Sequence, residues 1–272
     1  MKDLMNNDLS ILREKKLYLL DMDGTIYLGN KLFPCTLPFL TRIKSKGGRY
    51  LFITNNSSKS VSSYVDKLRS LGIEDVTEKD FFTSSQASER LMKEKFGNAL
   101  LYVQGTVSFV KELKAFGLNI TEEYDDNAKA VLLGFDSELT MEKMIKTCKM
   151  LTFHPGIPYF ATNPDWVCPT EWGYVPDCGS MCFSYEKATG RKPVFIGKPS
   201  SRMIDLAMEM TGYRKEDTVV IGDRLYTDIA SGNHAGVTTI CVLSGEVKKE
   251  EAMKSLGAEK PTFVVDDLSS VF

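Results

Sequence analysis

Short apolar runs alternate with amphipathic segments in both terminal parts of the chain. The runs predicted to be buried strands lie at 17–21, 50–54, 218–222, 238–243 and 263–267. The segments predicted to be helices lie at 37–46, 60–72, 201–211 and 226–235. Alternation of this kind is typical of βαβ units, so both ends of the chain predict parts of a parallel sheet.

The middle of the chain has an alternation of its own. Its predicted strands are 100–104, 130–135 and 158–162, and its predicted helices are 86–96, 106–116 and 140–151. Glycines that suit helix ends stand at Gly47, Gly72, Gly97 and Gly117. We therefore predict an α/β protein with a Rossmann-like parallel-sheet core, residues 1–85 and 193–272, and an inserted α/β cap domain, residues 86–192.

Composition excludes several classes of protein. The 272 residues are 43% hydrophobic and 26% charged, which is typical of a globular protein. Lys and Arg total 34 against 36 Asp and Glu, so nucleic acid is not an expected partner. The N-terminal segment is too polar for a secretory signal, and no apolar run reaches the roughly 18 residues of a membrane span. A cytoplasmic protein that does not bind membranes is the expectation.

The six cysteines are scattered and include no C-x-x-C pair, so we expect reduced thiols. Cys178 and Cys182 are four residues apart and would share one face of a helix. No further ligand completes a zinc set, so ordinary packing is favoured over metal binding.

The sharpest chemical feature is DMDGT at 21–25, directly after the first predicted strand. Open α/β sheets bind ligands beyond the carboxyl ends of their strands, which is where Asp21 and Asp23 would lie. Two carboxylates this close resist joint ionisation unless a cation lies between them or one is protonated. Gly24 lets the chain turn away without a side chain. Alone, the motif is as consistent with a surface turn.

Two further motifs supply phosphate-binding groups. Thr54, Asn55 and Asn56 end the second predicted strand with short polar side chains and backbone N–H groups that suit phosphoryl oxygens, although such a run also caps helices. Lys198 precedes a predicted helix, where its ammonium could hold phosphate or offset the charge of Asp21.

Two more acids follow another strand. Asp223 ends the predicted strand 218–222, and Asp228 lies five residues later near the start of a helix. Together with the first pair they predict an oxygen-rich Mg²⁺ site. Asp228 alone is equally explained as a favourable charge at a helix N-terminus.

Four such motifs in this order resemble those of the haloacid dehalogenase superfamily: DMDGT the first, Thr54-Asn55 the second, Lys198 the third and GDRLYTD at 222–228 the fourth. The long insertion, with TNPD at 162–165 and PDCGS at 176–180, resembles the NagD-like and para-nitrophenyl phosphatase branch, whose phosphatases have an α/β cap.

The resemblance implies a magnesium-dependent phosphatase that acts on small phosphomonoesters of the sugar phosphate, pyridoxal phosphate, phosphoglycolate, nucleotide or para-nitrophenyl phosphate type. Asp21 would be the nucleophile and Asp23 the acid and base. Thr54, the Asn55 backbone and Lys198 would bind phosphate. Mg²⁺ would be held by Asp21, the Asp23 carbonyl and Asp223, with Asp228 in support.

The resemblance also implies that the cap sets substrate choice, and the candidates there are Asn163, Asp165, Trp166 and Trp172. For the two tryptophans, packing in a core is the favoured interpretation. His154 and His234 are expected to cap or pack rather than to catalyse. A homodimer formed through the cap is left open.

Two other functions remain open at this point. A phosphotransferase or mutase would use the same nucleophile, and a phospho-accepting, metal-binding module would not turn over. A nucleotide-binding oxidoreductase is disfavoured, because no G-x-G-x-x-G follows the first strand.

Overall fold

The protein is an α/β structure, seen here in a computed structural model that describes residues 2–170 and 172–271. By packing, the chain divides into two units. The first unit holds the residues up to Thr54, Val65–Phe82 and the residues from Lys198 onward. The second holds Asn55–Tyr64 and Thr83–Gly197. The predicted boundaries, 86 and 192, kept residues 55–64 with the core, whereas these residues pack with the second unit.

The strands, in chain order, are β1 (Leu17–Leu20), β2 (Tyr27–Leu28), β3 (Lys31–Leu32), β4 (Arg49–Thr54), β5 (Phe81–Thr83), β6 (Leu101–Gln104), β7 (Ile120–Thr121), β8 (Val131–Leu133), β9 (Tyr159–Ala161), β10 (Val167–Thr170), β11 (Gly173–Pro176), β12 (Val194–Phe195), β13 (Thr218–Gly222), β14 (Thr238–Val242) and β15 (Phe263–Val265). The α-helices are α1 (Thr36–Ser45), α2 (Val61–Ser70), α3 (Ser84–Phe96), α4 (Val107–Ala115), α5 (Met141–Phe153), α6 (Cys178–Thr189), α7 (Arg202–Thr211), α8 (Ala230–Ala235) and α9 (Lys249–Lys254).

The sheet of the first unit has six strands in the order β15-β14-β13-β1-β4-β5. The β1 strand pairs in parallel with β13 on one side and with β4 on the other, and Leu20 is aligned with Ile221 and Phe52. All residues of β1 and β13 are buried, as expected of central strands covered on both faces. The carboxyl ends of β13, β1 and β4 therefore lie side by side.

The sheet of the second unit has five strands in the order β12-β9-β8-β6-β7, all paired in parallel. Its helices begin at residues that suit helix starts: Thr83, Thr106, Thr140 and Asp177 each accept a backbone N–H of the first turn. Each cap satisfies a donor that the helix itself leaves open. The predicted fold class, an α/β protein with a parallel-sheet core and a cap, is confirmed.

Three local features differ from the expectation. The β10 and β11 strands form an antiparallel hairpin that the hydrophobic pattern did not predict. The α6 helix was not predicted as an element, although the inferred helical spacing of Cys178 and Cys182 is confirmed. The predicted helix 226–235 is a π-helical turn, Leu225–Ile229, followed by α8.

The helices of the described residues are too short or too polar to span a bilayer. The longest of them, α3 and α5, have 13 residues each, whereas a span needs about 20.

The burial of Cys178 and Cys241 leads to a testable prediction of their reactivity. The neighbouring Cys182 thiol and burial raise the pKa of Cys178 well above its ordinary value, and burial raises the pKa of Cys241 to about 12. Because the thiolate is the reactive form, a raised pKa leaves less of it at neutral pH. We expect Cys178 and Cys241 to resist iodoacetamide in the folded protein and to react after unfolding, as followed by mass spectrometry. Rapid labelling of the folded protein at either site would contradict the described burial.

Candidate active site

Acidic and polar residues follow three adjacent strands of the first unit at their carboxyl ends. Asp21 comes directly after β1, and its N–H donates to the carbonyl of Ile221 (2.9 Å) in β13. Thr54 is the buried last residue of β4, and Asp223 comes directly after β13. This edge of the sheet is where open α/β folds bind their ligands.

Lys198 links two of these carboxylates. Its Nζ donates to Oδ1 of Asp21 (2.6 Å) and to Oδ1 of Asp228 (2.5 Å), and it lies 3.5 Å from the Ile53 carbonyl oxygen. The lysine is only 2% exposed. Burial opposes its charge, but Asp21 and Asp228 outweigh burial and raise the pKa of Lys198, so the ammonium stays protonated.

Asp21, Asp223 and Asp228 each offer a carboxylate oxygen, and these oxygens lie within 4.8 Å of one another. Burial and then the charge of Asp21 raise the pKa of Asp223 to about 8 and that of Asp228 to about 6. The cluster therefore favours additional positive charge. Oxygen-only ligands suit Mg²⁺.

Asp223 is held so that one of its oxygens is available to a ligand. The backbone N–H of Glu246 donates to Oδ2 (2.7 Å), while Oδ1 is buried with no hydrogen-bond partner among the described residues. A Cβ at Gly24, whose φ is +86°, would lie 2.3 Å from Oδ2, so only glycine permits this approach. A buried carboxylate oxygen without a partner is costly. This arrangement fits a bound cation.

Asp23 lies in the same loop as Asp21 and is half-buried. Burial raises the pKa of Asp23; Lys67 lowers it in part, and the charge of Asp21 adds to the rise. The Nζ of Lys67 also lies 3.9 Å from the centroid of the Tyr27 ring. Burial therefore makes Asp23 easier to protonate than an ordinary exposed carboxylate.

Three predicted phosphate-binding residues pack within the second unit. The side chain of Asn55 donates to Asp165 (3.0 Å), and that of Asn163 donates to Asp165 (2.9 Å) and Asp177 (3.0 Å). Asn56 accepts from the backbone N–H of Ser58 (2.9 Å), which forms a local turn. Their predicted roles in phosphate binding stay predictions.

The predicted packing role of the tryptophans is wrong. Trp166 is 58% exposed and Trp172 is 78% exposed, although Trp166 makes an edge contact with Phe183. His154 is the C-cap residue of α5, which is one of the two positions expected for it; that it does not catalyse stays a prediction. For His234, the structure gives a contact between Nδ1 and the Pro199 carbonyl oxygen (2.8 Å).

Sequence reasoning missed the segment after β14. Glu246 donates its N–H to Asp223, and its carboxylate pairs with Arg224 (2.9 Å). A Cβ at Gly245 would lie 2.0 Å from Oδ2 of Asp223. The signal was present, since Ser244-Gly245-Glu246 follows a strand that neighbours β13 and so ends at the same edge of the sheet.

Comparison with known proteins agrees with this geometry. Residues 18–119 match the family of haloacid dehalogenase-like hydrolases, and residues 195–271 match a family of HAD-hydrolase-like proteins. The two matches cover the segments that supply the carboxylates and Lys198.

The chain is 36% identical to the 5′-nucleotidase YutF of Bacillus subtilis (strain 168), over 93% of this chain and 95% of that protein. It is similar to the crystal structure of a 4-nitrophenylphosphatase from Thermotoga maritima, with TM-score 0.88, 40% identity and coverage of 95% and 96% of the two chains. It is also similar to a glycerol phosphate phosphatase from Mycobacterium tuberculosis in complex with magnesium, with TM-score 0.89, 30% identity and coverage of 96% and 78%. The chain therefore belongs to the haloacid dehalogenase-like hydrolases, in the branch of NagD and para-nitrophenyl phosphatase proteins.

Proposed function

We propose that this protein is a phosphatase that hydrolyses small phosphomonoesters with Mg²⁺, through an aspartyl phosphate formed on Asp21. The observation that carries the proposal is the buried ammonium of Lys198 between Asp21 and Asp228, beside Asp223 at the same edge of the sheet. Two matched families and relatives that are themselves phosphatases support it.

In the first step, an Asp21 carboxylate oxygen attacks phosphorus and the bond from phosphorus to the leaving oxygen breaks. Lys198 donates to Oδ1 of Asp21, so we assign Oδ2 as the attacking oxygen. Asp23, two residues further along the same loop, gives its proton to the leaving oxygen, and the alcohol departs. A positioned acid of this kind contributes about 10²–10⁴-fold to the rate.

In the second step, Asp23 takes a proton from a water molecule, whose oxygen attacks phosphorus. The bond between phosphorus and Asp21 breaks, inorganic phosphate leaves, and both carboxylates return to their starting states. One residue thus acts first as acid and then as base, as a carboxylate in a covalent mechanism can.

The phosphoryl oxygens need donors and positive charge. Thr54 lies at the end of β4 and Asn55 follows it directly, so we assign the Thr54 hydroxyl, the Asn55 N–H and Lys198 to these oxygens. Mg²⁺, when bound by Asp21, Asp223 and the Asp23 carbonyl with Asp228 in support, supplies charge that offsets the repulsion between nucleophile and phosphate.

The substrate class rests on the relatives. One acts on nucleotides, one on nitrophenyl phosphate and one on glycerol phosphate, so we propose a small phosphomonoester and assign its selection to the region predicted as the cap, 86–192. A panel of these compounds, assayed for inorganic phosphate with and without EDTA, tests the proposal. Phosphate that appears only when an acceptor alcohol is added would instead indicate a phosphotransferase.

Replacement of the nucleophile is the first prediction for the site. Asp21→Asn removes the attacking oxygen but is nearly isosteric, relieves repulsion with Asp223 and leaves Lys198 paired with Asp228. We expect steady-state turnover to be lost while the melting temperature stays near that of the wild type. Asp75→Asn, which changes an exposed carboxylate of the same unit, is the control and should keep full activity. Turnover by the Asp21→Asn variant would remove Asp21 as nucleophile.

Removal of the buried ammonium of Lys198 should also lower the free energy of unfolding. Lys198→Met leaves the buried Asp228 and the half-buried Asp21 without their shared partner, and loss of one member of a buried ion pair costs about 3–5 kcal/mol. We expect urea unfolding to give a loss of this size together with loss of activity. Lys16→Met, which removes an exposed lysine that pairs with Asp217, should change stability by less than about 0.5 kcal/mol. Equal losses in the two variants would contradict the burial argument.

Metal binding can be measured without turnover. Because Mg²⁺ would bind only the folded protein, it should raise the melting temperature of the wild type. Asp223→Asn weakens the cluster's attraction for a cation and should abolish this rise. Sodium chloride at matched ionic strength controls for charge screening. The same rise in the wild type and the Asp223→Asn variant would exclude Asp223 as a ligand.

A further inference from the structure

A buried network in the second unit centres on the carboxylate of Asp165, which is 6% exposed. Its Oδ2 accepts the side-chain amide N–H groups of Asn55 (3.0 Å) and Asn163 (2.9 Å). Asn55 and Asp165 are 110 residues apart in the chain. The contact therefore ties the loop that follows β4 to the loop that follows β9.

The start of α6 holds Asp165 in place. The N–H of Gly179 donates to the Asp165 carbonyl (2.9 Å), and the N–H of Asp177 donates to the carbonyl of Trp166 (3.0 Å). Asn163 also donates to Asp177 (3.0 Å), so its side chain is fixed between two carboxylates. Asp165 thus presents its carboxylate from a backbone whose carbonyl, and that of the next residue, are hydrogen-bonded to the start of α6.

Asn55 is fixed from other directions as well. The hydroxyl of Ser84 donates to its carbonyl oxygen (2.7 Å). A Cβ at Gly197 would lie 2.5 Å from Oδ1 of Asn55, which is too close for a residue with a side chain. Glycine therefore lets the backbone pass directly against the Asn55 side chain. Asn55 directly follows Thr54, and Gly197 directly precedes Lys198. The network therefore borders two residues to which phosphate binding is assigned.

We propose that Asp165 is a positioning residue for the phosphate site: through its hydrogen bond to the Asn55 side chain, it fixes the backbone N–H of Asn55. The inference rests on the proposed function, which assigns that N–H to a phosphoryl oxygen. It differs from the expectation that Asp165 sets substrate choice, because the carboxylate is buried and bonded to two asparagines. Donors that are held in place before the reaction stabilise the transition state without reorganisation.

The hydrogen bond from Asn55 needs an acceptor atom at the position of Asp165 Oδ2, but that atom does not need to be charged. In Asp165→Asn, the amide oxygen can take that position and accept both N–H groups, whereas Asp165→Ala removes this acceptor from both. Misplacement of a reacting group by about 1 Å can cost about 10²-fold. We expect Asp165→Ala to lower kcat for para-nitrophenyl phosphate by about 10- to 100-fold, and Asp165→Asn to stay near the wild type.

Asp136→Ala is the matched control. Asp136 is also a buried carboxylate of the second unit, 1% exposed, and pairs with Lys143 (3.0 Å). Loss of the Asp136 carboxylate should lower the melting temperature but leave kcat near the wild-type value, which separates positioning from general destabilisation.

Asn55→Ala removes the hydrogen bond between Asn55 and Asp165 from its other end and keeps the backbone N–H. It should lower kcat to a similar extent, and the Asn55→Ala/Asp165→Ala double variant should be no slower than either single variant.

Hydrogen–deuterium exchange of residues 52–60 supplies a readout that does not depend on turnover. Exchange there should be faster in Asp165→Ala and unchanged in Asp165→Asn and Asp136→Ala. A folded Asp165→Ala variant with wild-type kcat would overturn the inference, as would equal losses in Asp165→Asn and Asp165→Ala or additive losses in the double variant. If Asp165→Ala does not fold, wild-type kcat in Asn55→Ala overturns it instead. A wild type that releases no phosphate would refute the proposed function itself.

Discussion

The ammonium of Lys198 between Asp21 and Asp228 is the interaction on which the site depends. Taking any one of these charges out of water costs several kcal/mol, and only their mutual attraction offsets that cost. Neither Lys198 nor Asp228 could be buried here alone. Beside them, burial and then the charges of Asp21 and Asp228 raise the pKa of Asp223, and one of its oxygens has no hydrogen-bond partner among the described residues, so both features favour one more cation at the cluster.

These residues are far apart in the chain, and the sheet brings them together. The β1 strand lies between β13 and β4, so residues that follow the three strands share one edge. Parallel pairing needs long crossover connections, and in this protein the connection from β5 to β13 contains residues 84–197, which are most of the second unit. The first unit therefore supplies the three carboxylates and the ammonium itself, Asp21 and Asp223 directly from the ends of its strands.

The sequence predicted the parts of this arrangement that depend on local pattern. LYLLD and TVVIG could be recognised as strands because central parallel strands are apolar throughout, and the acids at their ends followed from that assignment. The hairpin of β10 and β11 could not, since it is short and carries Pro169 and Pro176, which are unfavourable in strands.

Contacts between distant residues were also invisible in the sequence. Residues 55–64 looked like part of the core, yet Ser57 bonds to Thr162, 105 residues away, and Asn55 bonds to Asp165. Trp166 and Trp172 are exposed because they lie in and beside the β10–β11 hairpin, which the sequence did not predict. Hydrophobicity alone favoured a core for both rings.

The division of the chain has a consequence for protein engineering. The second unit is made of two stretches, so excising it would require two new junctions, one joining Thr54 to Val65 and the other joining Phe82 to Lys198. Grafting a homologous module in its place would have to exchange both stretches together, because a graft of residues 83–197 alone would separate Asn55 from its native acceptor.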